Sequence, residues 1–142
     1  ISQLTKDVTE YLNENLKLNF KSKDEKYKIA YHSACSMQHG QKVHNQPMEL
    51  LSKTKNEVME IPEGHICCGS AGTYNILQSK IAKELLRKKV KNIESLEPDF
   101  ISTGNIGCIT QIANGTKTPI LHTIEILDWY TGGPKPKILQ KN

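Results

Sequence analysis

Two adjacent thiols and two glycines crowd one short stretch of this chain, Ile66-Cys67-Cys68-Gly69-Ser70-Ala71-Gly72. Neighbouring cysteines diverge from one backbone and cannot bond to each other without strain, so a local disulfide explains the pair poorly. A shared metal ion or cluster explains it better. Cys35 and Cys108 bring the total to four thiols, and in a non-secretory chain such a set favours metal binding or catalysis over structural disulfides. Four buried apolar thiols are the plainer alternative. Four thiolates suffice for a cubane iron–sulfur cluster or a tetrahedral zinc site, since soft sulfur favours both over magnesium or calcium. An adjacent pair is awkward around one small ion, so one thiol can point away and His32, His39 or His122 can complete the shell. Gly69, Gly72, Gly104 and Gly107 read as loop geometry that lets the main chain approach a bulky group. Asn75, Asn105 and Gln111 read as donors to sulfur or to neighbouring backbone rather than as ligands. No residue is assigned a catalytic role.

These side chains must be brought together from distant parts of the sequence. Leu4, Val8, Tyr11, Leu12 and Leu16 predict an amphipathic helix over 3–17, with Ser2 or Thr5 as its cap. Tyr27 to His32 reads as a first strand, and Cys35 follows it, leading into a loop-like or weakly helical polar stretch with His39 and His44. Pro47 opens a helix with Met48, Leu50 and Leu51 on its apolar face, and Glu57 to Ile61 alternates as a second strand ahead of the cysteine pair. Tyr74, Leu77, Ile81, Leu85, Leu86, Val90 and Ile93 then predict a long helix from Thr73 to about Leu96, continuous or broken near Gln78-Ser79, its N-terminus directed at the cysteine loop. Phe100 to Thr103 is a third strand before Cys108, Ile109 to Asn114 a short helix, Pro119 to His122 a fourth strand, and Thr123 to Trp129 a last helix.

Alternating strands and helices imply an α/β fold with three layers: a mainly parallel four-stranded sheet with helices on both faces. Ligands of such folds bind at the strand carboxyl ends. The four cysteines fall just after the first three strands, so separations of 31 and 39 intervening residues close up in space. The expected divisions are an N-terminal helix and connection over 1–22, a cysteine-rich domain over 23–131 and a flexible tail over 132–142. Trp129 reads as core.

Composition narrows the function classes. A chain of 142 residues with 37% hydrophobic content and mean hydropathy of −0.52 forms a core without disulfides and contains no membrane span. It begins at Ile1, with charged residues among its first apolar positions, which reads as a fragment or processed chain rather than a secretory precursor. The net charge of +4 gathers partly in Lys80, Lys83, Arg87, Lys88, Lys89 and Lys91. Without interleaved aromatic residues these read as a solvated helix face, not a nucleic-acid surface, although they also suit docking onto an acidic protein. No Gly-x-Gly-x-x-Gly loop follows a strand, so flavin or nicotinamide binding is not expected in this piece. No Cys-x-x-Cys points to thiol–disulfide chemistry.

Tyr31-His32-x-x-Cys35, His39-Gly40-Gln41, Cys67-Cys68-Gly69-Ser70-Ala71-Gly72-x-Tyr74-Asn75 and Thr103-Gly104-Asn105-x-Gly107-Cys108-x-x-Gln111 resemble the cysteine-rich CCG domain. That domain occurs in heterodisulfide reductases and in iron–sulfur subunits of glycolate oxidase and related oxidases, the latter being the closer match, over about residues 27–130. One position departs from the reductase pattern: Gln111 stands where its final Cys-x-x-Cys ends in a fifth thiolate. The resemblance implies the C-terminal part of an iron–sulfur electron-transfer subunit, with Cys35, Cys67, Cys68 and Cys108 holding the redox centre. It also implies a partner subunit that carries the flavin, glycolate or a similar 2-hydroxy acid oxidised elsewhere in the complex, and a cytoplasmic location with peripheral attachment to the inner membrane. The rival reading is a non-catalytic docking module with structural zinc or no metal.

Overall fold

The computed structural model describes residues 4–41, 43, 45–70 and 77–140. The first helix, α1 (Val8–Asn15), starts where the Asp7 carboxylate accepts the Thr9 N–H at 2.8 Å, and ends as Leu16 turns extended. It is shorter than its apolar spacing suggests because only Leu12 reaches the core, while Val8, Tyr11 and Leu16 stay exposed. Next come β1 (Lys28–His32), a π-helical turn (Ser36–Gln41) in the polar stretch, α2 (Gln46–Ser52) with Pro47 in its first turn, and β2 (Glu57–Glu60). A long helix, α3 (Ser79–Glu94), leads to β3 (Phe100–Thr103), α4 (Ile106–Ala113), β4 (Ile120–His122) and α5 (Thr123–Thr131).

The strands form one sheet in the order β2-β1-β3-β4, and every pairing is parallel. Both central strands are covered on both faces, which is why β1 buries Ile29 to His32 and β3 buries all of Phe100 to Thr103. The alternation of strand side chains divides the core. Ile29, Tyr31, Phe100 and Leu121 pack against α2 and α5 through Leu50, Leu51, Ile126, Leu127, Trp129 and Tyr130. Ala30, Ile101 and Ile120 face the opposite layer, with Ile93 of α3 and Cys108 and Ile112 of α4. The fold is therefore the expected three-layer α/β arrangement, with a sheet that is parallel throughout.

The chain runs from β1 outward to β2 and then returns to the other side of β1 to form β3, so the strand order reverses between β1 and β3. Connections leave in opposite directions there, opening a crevice at the carboxyl ends. Cys35 follows one of these strands and Cys108 lies in the first turn of the helix after the other.

One expectation changes. Along α3 the buried residues are Ala82, Lys89, Val90 and Ile93, whereas Ile81, and Leu77 just before the helix, are exposed, so the buried stripe is not simply the apolar one. In the tail, residues 134–140 lie back against the core. Lys135 lies 5.9 Å and 5.7 Å from the Tyr27 and Trp129 ring centroids, and a 3-10 turn (Lys137–Leu139) lets Leu139 pack on the core. An aromatic platform assembled from residues far apart in sequence holds it there. No helix among the described residues is long and apolar enough to cross a membrane.

Candidate metal centre

β1 ends with His32 on the face of the sheet occupied by Ala30, towards α3 and α4, because alternate strand residues share a face. Cys108 reaches the same place from α4, whose first turn is fixed by Asn105: its side-chain oxygen accepts from Gly107 N at 2.8 Å and Cys108 N at 3.2 Å. Asn105 is thus a helix cap acting on backbone. The third contributor arrives on the loop after β2, where Cys68 Sγ lies 3.6 Å from Cys108 Sγ. Donor atoms of His32, Cys68 and Cys108 all lie within 4.8 Å of one another, and all three residues are buried.

Cys35 and Cys67 stand beside this group. The Cys67 sulfur accepts the Gly69 N–H at 3.3 Å, and burial first, then the neighbouring Cys67 thiol, pushes the Cys35 thiol up to about 11. Cys68 moves the other way, drawn down to about 4 chiefly by a hydrogen bond from Cys108, with help from His32 and the Ser70 backbone N–H. Donating that proton and being buried raise Cys108 correspondingly. The cluster therefore already favours one thiolate at its centre.

Gly69 allows the loop to enter. Its φ is +89°, and a Cβ there would lie 2.6 Å from the Ala82 carbonyl oxygen and 3.1 Å from Gln111 Nε2. Gln111, one turn beyond Cys108, thus places its amide against the Cys-Cys-Gly loop. A Cβ at Gly107 would meet Ser70 Oγ at 2.7 Å, so the same loop packs closely on both helices. Gly69→Ala should destabilise the chain by about 1–3 kcal/mol, through the positive φ and the carbonyl clash, and should also weaken metal binding. Thermal melts and metal stoichiometry check this; a variant equal to wild type in both would show that the loop tolerates a side chain.

The other expected contributors are used differently. The His122 Nδ1 accepts the Ile124 N–H at 3.2 Å and, with Glu125, forms the cap of α5, while His39 is exposed on the π-helical turn; neither joins the group above. Gly104 packs near Met37. Gly72, Asn75 and the expected start of the long helix lie outside the described residues. Trp129 is buried core, as expected. One residue near the site was not anticipated: Lys89, assigned to a solvated face, is fully buried on α3.

The donor set suits a metal. His32 is 1% exposed and neither ring nitrogen makes a well-formed hydrogen bond among the described residues, where a buried polar atom normally has one; the ring stands instead beside the sulfurs of Cys68 and Cys108. Two sulfurs each about 2.3 Å from one tetrahedral ion would stand about 3.8 Å apart, close to the separation of Cys68 and Cys108.

The sequence pattern of the CCG family, described as a cysteine-rich domain, matches residues 29–113, a span that contains all four cysteines. This chain belongs to the CCG cysteine-rich domain family. The chain is 35% identical over 128 residues to the glycolate oxidase iron-sulfur subunit of Escherichia coli (strain K12), covering 90% of this chain and 31% of that protein. It is 26% identical over 134 residues to lactate utilization protein A of Anoxybacillus flavithermus, covering 90% of this chain and 56% of the relative. The corresponding protein of Geobacillus kaustophilus is 27% identical over 130 residues, with 87% and 54% covered. The chain thus spans from just under a third to just over half the length of these relatives. This chain's CCG domain carries a buried cysteine–histidine group able to hold metal, and the chain is related to an iron–sulfur oxidoreductase subunit.

Proposed function

We propose that this chain is the C-terminal portion of an iron–sulfur electron-transfer subunit of a glycolate or similar 2-hydroxy acid oxidase. It passes on electrons received from a flavin on a partner subunit, and the hydroxy acid is oxidised on that partner. The observation that carries the reading is the meeting of His32, Cys68 and Cys108 at the strand-order reversal, with Cys35 and Cys67 beside them. The four cysteines would hold the cluster, which when bound supplies a reversible electron acceptor. The protein's own part is to exclude water, through Ala34, Met37 and Val43 packed in the same core, and to direct Cys68 and Cys108 inward. Gln111 supplies an amide beside the loop in place of a fifth thiolate. Partners and an inner-membrane association would come through the rest of the complex.

The second reading, structural zinc, is favoured by one observation: 3.6 Å between two sulfurs suits ligands of a single ion. Anaerobic titration of the purified full-length subunit with a chemical reductant separates the two. Electron transfer requires visible absorption that bleaches on reduction and returns on reoxidation; a colourless protein that takes up no electrons would leave zinc as the function of the site.

A further inference from the structure

Lys89 has no exposed surface, and lysine is almost never fully buried unless paired. Its ammonium donates only to main-chain oxygens, Glu63 O at 3.2 Å and Gly64 O at 3.4 Å, and no carboxylate lies within ion-pair distance among the described residues. Those two carbonyls belong to the turn just before Cys67 and Cys68. The negative charges within its electrostatic reach are the thiols themselves: Cys68 first, then Cys35, Cys67 and Cys108, each of which favours the charged ammonium against burial. A buried cation without a counter-ion is costly, and burial draws the Lys89 pKa below its usual value while the thiols oppose that shift, so an ammonium held there calls for thiolates beside it.

We propose that Lys89 is the built-in counter-ion of the centre: it anchors the turn through two carbonyls and stabilises a metal–thiolate group of net negative charge. Four thiolates outnumber the charge of a divalent ion, so such a group is anionic whether the metal is zinc or a cluster iron. Lys89 touches no ligand atom and acts through charge; it is a positioning residue. The inference rests on the metal-centre reading above and deepens it.

Zinc alone is a sufficient probe. Lys89→Gln keeps amide donors for Glu63 O and Gly64 O but removes the charge, whereas Lys89→Arg keeps the charge. Competition with a chromophoric chelator should show zinc binding about 10–100-fold weaker in Lys89→Gln, the range expected for groups that support metal ligands, and largely restored in Lys89→Arg. The metal-free Lys89→Gln protein should melt no lower than wild type, because a buried charge has been removed. Equal zinc affinity in wild type and Lys89→Gln would overturn the inference while leaving the metal centre standing; no zinc binding by wild type would overturn the centre itself. Nitrogen-15 spectra of the wild-type Lys89 side chain, zinc-loaded at neutral pH, need no variant: an ammonium signal is expected, and a neutral amine would refute the counter-ion role.

Discussion

Cys68→Ser should abolish bound metal while leaving the sheet folded. Cys68 lies 1% exposed at the meeting point of two other donors, and its sulfur already favours the thiolate form. A serine hydroxyl does not ionise near neutral pH and is a poor partner for soft metals. Oxygen in place of sulfur leaves the volume nearly unchanged, so the fold should lose only about 1–2 kcal/mol, from a hydroxyl in an apolar core. Metal affinity should fall at least about 100-fold, beyond the range set by supporting groups alone. Elemental analysis of wild type and variant, with far-ultraviolet circular dichroism to follow the sheet, gives the result. Unchanged stoichiometry in a folded variant would remove Cys68 from the ligand set.

His32→Leu should affect stability and metal binding in opposite directions. In the metal-free chain, His32 carries two buried nitrogens without a well-formed hydrogen bond among the described residues, beside the sulfurs of Cys68 and Cys108. An unsatisfied buried polar group costs about 1–3 kcal/mol, so an apolar replacement of similar size should raise the metal-free melting temperature or leave it unchanged. Metal binding should weaken about 10–100-fold if the imidazole supports the centre from outside, and more if it is a ligand. Calorimetry on metal-free protein and chelator competition on loaded protein measure the two effects. A metal-free variant that melts well below wild type, with unaltered metal affinity, would make His32 an ordinary core histidine.

Much of this was legible in the sequence, because both cues to the fold are local. Strand and helix periods alternate, and each cysteine follows a strand, so the parallel sheet and the approach of Cys68 to Cys108 follow from one topological rule. Less legible was what depends on side-chain direction. Three histidines stood near strand ends, and only the structure separates His32, facing the sulfurs, from His122, whose ring caps α5. Lys89 was hidden by composition: five other basic residues surround it from 80 to 91, which suggested a solvated face. Helical spacing could have found it, since it falls seven residues after Ala82 and four before Ile93, both buried. The aromatic platform under Lys135, Tyr27 and Trp129, is likewise assembled only by the fold, from residues far apart in sequence.

The central claim is that the cysteine group holds an iron–sulfur centre, and metal analysis combined with acid-labile sulfide on protein purified without oxygen tests it most directly. Iron and sulfide together, both lost in Cys68→Ser, are the expected result. Zinc without sulfide, or neither metal nor sulfide in a correctly folded chain, would contradict the claim and leave the CCG domain without a redox role of its own.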